Sequence, residues 1–293
     1  MTFLSHLING ISLGSVYAII ALGYTMVYGI AKMLNFAHGD VIMVGGYVSF
    51  VVMMNLNLPP IVAILLAMLV CTILGVIIER LAYKPLRQAT SLAVLITAIG
   101  VSYFLQNAAL LIWGSAPKSY VSVVSMEPLR LFNGQLVITG ESLVTIVVCI
   151  VIMVGLTLFT SKTKMGKAMR ACSEDKAAAQ LMGIDVNFTI SVTFAIGSAL
   201  AAIAGVLLCS SYPTLMPTTG SMPGIKAFTA AVFGGIGSIP GAMLGGLLLG
   251  IIEIFAKAYI STQLSDAIVF AVLIIVLLFK PAGLLGKQIH EKI

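Results

Sequence analysis

Long uncharged apolar runs alternate along this chain with short polar connections. A helix needs about 20 apolar residues to cross roughly 30 Å of hydrocarbon. The clearest candidate runs cover residues 7–31, 60–78, 91–113, 142–160, 188–209 and, more briefly, 267–279. The run 41–54 is also short, and the region 227–256 is apolar but rich in glycine. The pattern predicts an all-α fold, a polytopic transmembrane helical bundle of about eight spans, with residues 1–293 forming one membrane domain. The first run is too long for a cleavable signal peptide. It also lacks a basic leading region and a small-residue cleavage site.

Composition narrows the class. Of 293 residues, 60% are hydrophobic and 9% are charged, and the mean hydropathy is +1.12. A soluble domain spends about a quarter of its residues on Asp, Glu, Lys and Arg. That deficit excludes a soluble globular enzyme, a disordered protein and an extramembrane module. The net charge of +6 reads as cytoplasmic-loop bias, with no nucleic-acid role. Cys71, Cys149, Cys172 and Cys209 show no CxxC spacing and read as small core hydrophobes.

The basic residues orient the bundle. Lys32, the group Arg80, Lys84 and Arg87, the group Lys162, Lys164, Lys167, Arg170 and Lys176, and the group Lys280, Lys287 and Lys292 can share one side. Lys118, Arg130, Lys226 and Lys257 fall opposite. The positive-inside rule places the larger set and the C-terminus in the cytoplasm, and parity then puts the N-terminus outside. It also requires 226–257 to go in and come back. The stretch Gly234-Gly235-Ile236-Gly237-Ser238-Ile239-Pro240-Gly241 is a poor continuous helix, so a broken or re-entrant element of two short segments is expected near 227–256. Four-residue steps at Gly10/Gly14, Gly241/Gly245 and Gly246/Gly250 mark packing faces, within the subunit or between subunits.

Chemistry-bearing residues are scarce. The spans contain no HExxH and no paired carboxylates at helical spacing, and no Walker A motif occurs; no catalytic residue and no metal site are assigned. Glu253 is the one acid expected deep in a span, and Lys257 four residues on predicts a near-interface ion pair, with a transport role as the alternative. The polar segment Asn35-Phe36-Ala37-His38-Gly39-Asp40 reads as a turn or as part of a passage. Asn35, Phe36, His38, Gly234, Gly235, Gly237 and Ser238 are therefore the candidate pathway residues. His38 and Asp40 alone do not make a metal site.

The loop 161–187 is more specific. Its basic first part suits anionic headgroups. Ser173 reads as a helix N-cap, Glu174 and Asp175 complement the positive helix end, Ala177, Ala178 and Ala179 favour helix, and Gly183 suits a left-handed C-terminal residue. The segment encodes a short capped helix, either a connector lying on lipid or a knob for a cytosolic partner. The stretch Ala177 to Gly183, with Leu181 and Met182, resembles the Glu-Ala-Ala…Gly loop of ATP-binding-cassette importer permeases, with Ala177 where that pattern has Glu. By this resemblance Ser173, Glu174, Asp175, Ala177, Ala178, Ala179, Leu181, Met182 and Gly183 form a coupling helix that docks on an ATPase.

Further blocks resemble one subfamily: 9–18 (NGISLGSVYA), 21–30 (ALGYTMVYGI), 35–40 (NFAHGD), 78–87 (IERLAYKPLR) and 233–242 (FGGIGSIPGA). They are similar to the LivH-type permease of branched-chain amino acid importers almost from end to end. The resemblance implies a non-enzymatic permease subunit in the bacterial cytoplasmic (inner) membrane that moves Leu, Ile or Val inward. It also implies a second, LivM-type permease subunit, two ATPase subunits that bind ATP and Mg, an extracytoplasmic substrate-binding protein, and no cofactor in this chain. Relatives serve urea and short amides, and an ion-coupled secondary transporter is a further alternative. No residue pattern in the sequence spells out a site for a zwitterion.

Overall fold

In a computed structural model describing residues 2–131 and 136–286, helix α1 (Thr2–Ala31) occupies the middle of the molecule. Of its most apolar window, 94% is buried. It packs most extensively on α10 (Ile239–Tyr259), then on α8 (Val186–Ser211), α9 (Ser221–Gly234) and α5 (Gly140–Lys162). Glycines set the α1–α10 distance. A Cβ on Gly14 would stand 2.7 Å from the Leu247 Cα, and one on Gly250 would stand 2.2 Å from the Gly14 Cα. Small residues let membrane helices approach to backbone contact, where dispersion replaces the missing hydrophobic drive. Both the Gly10/Gly14 and Gly246/Gly250 steps are used within this one chain.

Around this centre stand α2 (His38–Met54), α3 (Pro60–Ile78), α4 (Ser91–Trp113) and α11 (Ser265–Phe279). Only 17% of the α4 window and 17% of the α5 window are buried, and Phe104, Leu111, Val151 and Leu158 point outward. Such a surface is stable only against lipid, where every backbone group is satisfied inside its own helix. Among the described residues six helices are long and apolar enough to cross a membrane, and α2 and α11 are shorter apolar helices. The bounds of α3 and α4 coincide with the expected runs, because each starts and stops on local chemistry. Pro60 sits in the first turn of α3, and Thr90 Oγ1 accepts from the Ala93 N–H at 3.4 Å at the start of α4. Beyond α3 the chain widens into a π-helical turn (Glu79–Tyr83) and a 3-10 turn (Lys84–Leu86) at Pro85.

The glycine-rich region is broken as its composition predicts, at residues 235–238. Its two arms are unequal, however. Helix α9 has 14 residues, whereas α10 has 21 and is long enough to cross, so the expectation of two short segments holds only for α9. Gly235 (φ +107°) and Gly237 (φ +94°) make the turn with angles that side chains resist. The segment after α11 closes on it: Leu284 and Leu285 N–H donate to the carbonyls of Phe233 and Gly234, each at 2.9 Å. The break thus lies at the same end of the bundle as Lys280.

The charges segregate by end. Lys176 donates to the Ala31 carbonyl at 2.8 Å, and Arg87 bonds Glu79 and Asn187, gathering Lys32, Arg87 and Lys176 at the basic end. Phe3 and His6 of α1 meet Phe255 and Tyr259 of α10 at the opposite end. There β1 (Lys118–Ser119) pairs antiparallel with β4 (Thr214–Leu215). A second pair joins β2 (Leu129–Leu131) to β3 (Leu136–Ile138).

Candidate functional site

At the basic end, the loop between α5 and α8 forms two helices, α6 (Lys164–Glu174) and α7 (Lys176–Leu181). The residue between them is extended (φ −149°, ψ 115°), and it is Asp175 that caps α7. Its Oδ1 accepts from the N–H groups of Ala177 at 2.7 Å and Ala178 at 3.1 Å. Ser173 is therefore not the cap expected from sequence. It lies in the last turn of α6 and donates to the Arg170 carbonyl at 2.7 Å, while Glu174 ends α6. A cap must leave helical angles while its side chain reaches two or three residues ahead, and only Asp175 does both. Gly183 takes the expected left-handed angle (φ +80°). The Ile184 N–H closes the end on the Ala179 carbonyl at 3.1 Å.

This small unit turns an apolar tip outward. Ala177, Ala178 and Gly183 are exposed and Ala179 is buried, and Leu181 and Met182 are 89% and 82% exposed. Lys176 points the other way, with its ammonium on the last carbonyl of α1, where a helix favours a cation. Burial, then the charges of Arg87 and Lys32, pull its pKa below the usual lysine value.

The candidate pathway residues fall in two groups. Asn35 accepts from Tyr83 Oη–H at 2.9 Å, Phe36 tilts against Phe228 at 5.6 Å, and His38 is buried under Gly23 with its ring edge-on to Tyr24 at 4.6 Å. Gly234, Gly235 and Gly237 form the α9–α10 turn, and Ser238 Oγ caps α10 by accepting from the Gly241 N–H at 3.2 Å. The two groups approach each other through α1, whose Gly29 faces Gly237. Asp40, beside the first group, accepts from Gln106 Nε2 at 2.9 Å; Gln106 also reaches Ser221 Oγ at 3.2 Å, so α2, α4 and α9 are tied together.

Buried acids exceed the single one expected. Asp40, Glu79 and Glu253 are each 2% exposed or less. Glu79 is held by Arg87 and by Ser191 Oγ–H at 2.7 Å. The local sequence hides this, because Glu79 stands inside a block whose basic residues dominate. Glu253 pairs with Lys257 at 2.6 Å as the four-residue spacing predicts. It also binds two groups that no local spacing announces, Lys226 at 2.8 Å and Tyr17 Oη–H at 2.8 Å. Lys226 further pairs with Asp266 at 2.6 Å. A cavity of about 200 Å³ opens beside this cluster. Among the described residues no three His, Cys, Asp or Glu side chains gather as a metal site.

Comparisons with known proteins agree with this architecture. The family described as "Branched-chain amino acid transport system / permease component" matches residues 6–277. The chain is 47% identical to the high-affinity branched-chain amino acid transport system permease protein BraD of Pseudomonas aeruginosa, over 99% of this chain and 98% of that one. It is 47% identical, with the same coverage, to the corresponding permease protein LivH of Escherichia coli. Identity is 31% to the probable branched-chain amino acid transport permease protein LivH of Methanocaldococcus jannaschii, over 92% of this chain and 88% of the relative. The matched region runs from the first turns of α1 into α11, so it takes in the central helix, the α6–α7 loop and the α9–α10 turn alike. This chain belongs to the branched-chain amino acid transport permease family, and it is a multi-pass membrane transport subunit, not an enzyme.

Proposed function

We propose that the chain is the LivH-type subunit of an ATP-binding-cassette importer that passes Leu, Ile or Val into the cytoplasm across a bacterial inner membrane. A LivM-type permease is its pair, two ATPase subunits bind the ATP and Mg, and an extracytoplasmic binding protein delivers the amino acid. The carrying observation is 47% identity over 99% of the chain to a branched-chain amino acid permease. The basic end and the C-terminus face the cytoplasm, as the segregated lysines and arginines favour.

In this reading α7 is the docking knob. Leu181 and Met182 fill an apolar groove on the ATPase, and Asp175 fixes the helix that presents them. Lys176 carries displacement of the knob to α1, since its ammonium holds the α1 terminus at 2.8 Å. ATP binding elsewhere then shifts the population between outward-open and inward-open arrangements of the bundle. The candidate pathway residues, from Asn35 to Ser238, lie in the α1–α2 connection, at the start of α2 and at the α9–α10 turn, the elements against which α1 would move.

The test is leucine uptake by the whole complex in liposomes. Uptake should require ATP and the binding protein. The double variant Leu181→Ser, Met182→Ser should lose about tenfold or more of it, because buried apolar anchors dominate such interfaces, while its melting temperature stays unchanged. Uptake driven by an ion gradient without ATP, or full uptake by the variant, would sink the reading. Uptake of urea or short amides in place of leucine would redirect the substrate assignment.

A further inference from the structure

We infer that the cavity beside Glu253 is a receiving site for an aliphatic amino acid in its zwitterionic form, with the ligand carboxylate on Lys257 and Lys226 and its ammonium on Glu253. This rests on the transport reading and deepens it by assigning substrate-binding residues.

The cavity is small and two-sided. At about 200 Å³ it lies below the roughly 300–1,000 Å³ of sites for drug-sized molecules. Its charged wall carries Lys226, Glu253 and Lys257, and its apolar wall carries Leu13, Leu208 and Met222. A ligand with both charges at one end and a branched hydrocarbon at the other matches both walls at once. A simple anion or cation would use only part of the charged wall, and a hydrocarbon none of it.

The bonding also exceeds what a helix clamp requires. Lys226 alone bridges Glu253 on α10 and Asp266 on α11, at 2.8 and 2.6 Å, and so already joins α9, α10 and α11. Lys257 adds a second cation to the same Glu253 oxygen at 2.6 Å. That is its one hydrogen bond among the described residues, and it leaves two of the three ammonium N–H groups for a ligand. Lys257 is also one-third exposed, whereas Glu253 is 1% exposed. A buried acid held by Tyr17 and Lys226 thus forms the floor, with a more exposed cation at the opening. Moving Lys257 from Glu253 to an incoming carboxylate leaves Glu253 its bonds to Tyr17 and Lys226, and the ligand ammonium takes the place of the Lys257 cation on the same oxygen. Ionisable groups inside a membrane span are retained chiefly where they work on a substrate or an ion.

The experiment uses the assembled complex in nanodiscs with its binding protein and photo-leucine, a diazirine analogue that keeps both charges. Irradiation and peptide mapping should place the adduct on Leu13, Leu208 or Met222, and excess leucine should compete it away. Lys257→Gln should lower the adduct yield by about tenfold or more, the loss expected for a charge-assisted bond. Lys257→Arg should retain the adduct, and Lys118→Gln, outside the cavity, should leave it unchanged. The decarboxylated analogue should not label this wall. Adducts elsewhere in a complex that takes up leucine under ATP would overturn the site, and so would equal labelling in Lys257→Gln with only a lowered melting temperature. If Lys257→Gln does not assemble, the wild-type adduct map and the decarboxylated analogue decide. Absence of ATP-driven leucine uptake by the wild-type complex would instead overturn the transport reading and the site with it.

Discussion

The seam between α1 and α10 and the outer sheath of α4 and α5 are built from equally apolar helices that do opposite things with glycine. In the seam, the space of each missing Cβ is taken by another helix's backbone: Gly250 faces Gly14, and Gly246 faces Ala18. In the sheath, Gly100 and Gly155 face nothing within 4 Å. Apolarity suffices to bring a helix into lipid, but lipid tails are as apolar as leucine and give it no place in the bundle. Close backbone approach gives that place. Helix α3 adds a second device. Besides the close approach of Gly75 to α8, the turns that follow α3 are fixed to α8 through side chains, with Glu79 bonded to Ser191 and Arg87 bonded to Glu79 and Asn187.

Three substitutions probe this difference, and the four buried cysteines supply a readout, since unfolding exposes them to a thiol-reactive dye. Gly250→Leu should have the largest effect. Overpacking typically costs about 1–3 kcal/mol, and here the obstacle is backbone 2.2 Å away, so the loss should exceed about 3 kcal/mol and the protein should fail to accumulate in membranes. A normally melting Gly250→Leu protein would remove the seam from the account. Glu79→Gln comes next. It leaves the Arg87 cation without its charge partner, and a lowering of stability by about 1–3 kcal/mol is expected in dye-monitored melting. An unchanged melting temperature would mean that α3 is held by apolar packing alone. Gly155→Ala is the smallest and has the opposite sign. With open space beside it, alanine should raise stability by up to about 1 kcal/mol through helix propensity, and a destabilised variant would mean that this face touches a partner subunit.

What the sequence disclosed followed the range of the forces involved. Spans and their ends were legible because hydrophobic runs and caps act within a few residues, as at Pro60 and Thr90. The Glu253–Lys257 pair and the left-handed Gly183 were legible for the same reason. Choosing Asp175 over Ser173 as the cap required knowing where α6 stops, which its packing on α5 and α8 decides. Tyr17 lies 236 residues from the Glu253 that it bonds, and Lys226 lies 27 away. No periodicity relates such partners, because helix packing alone brings them together. Asp40 and Glu79 were hidden for the same reason, each sitting in a segment whose polar character suggests a surface.

The bonds from Leu284 and Leu285 to Phe233 and Gly234 bear on how the chain is made. At about 5–20 residues per second, a ribosome finishes the α9–α10 turn seconds before it releases the residues that fasten it. Until then the turn's two carbonyls lack these partners, and the hairpin is free to adjust its depth as α11 threads in. The final residues of the described chain thus latch this turn only once α1 to α11 have been made. A permease truncated within α11 would be inserted but left unlatched, and would be open to membrane quality-control proteases at its most glycine-rich turn.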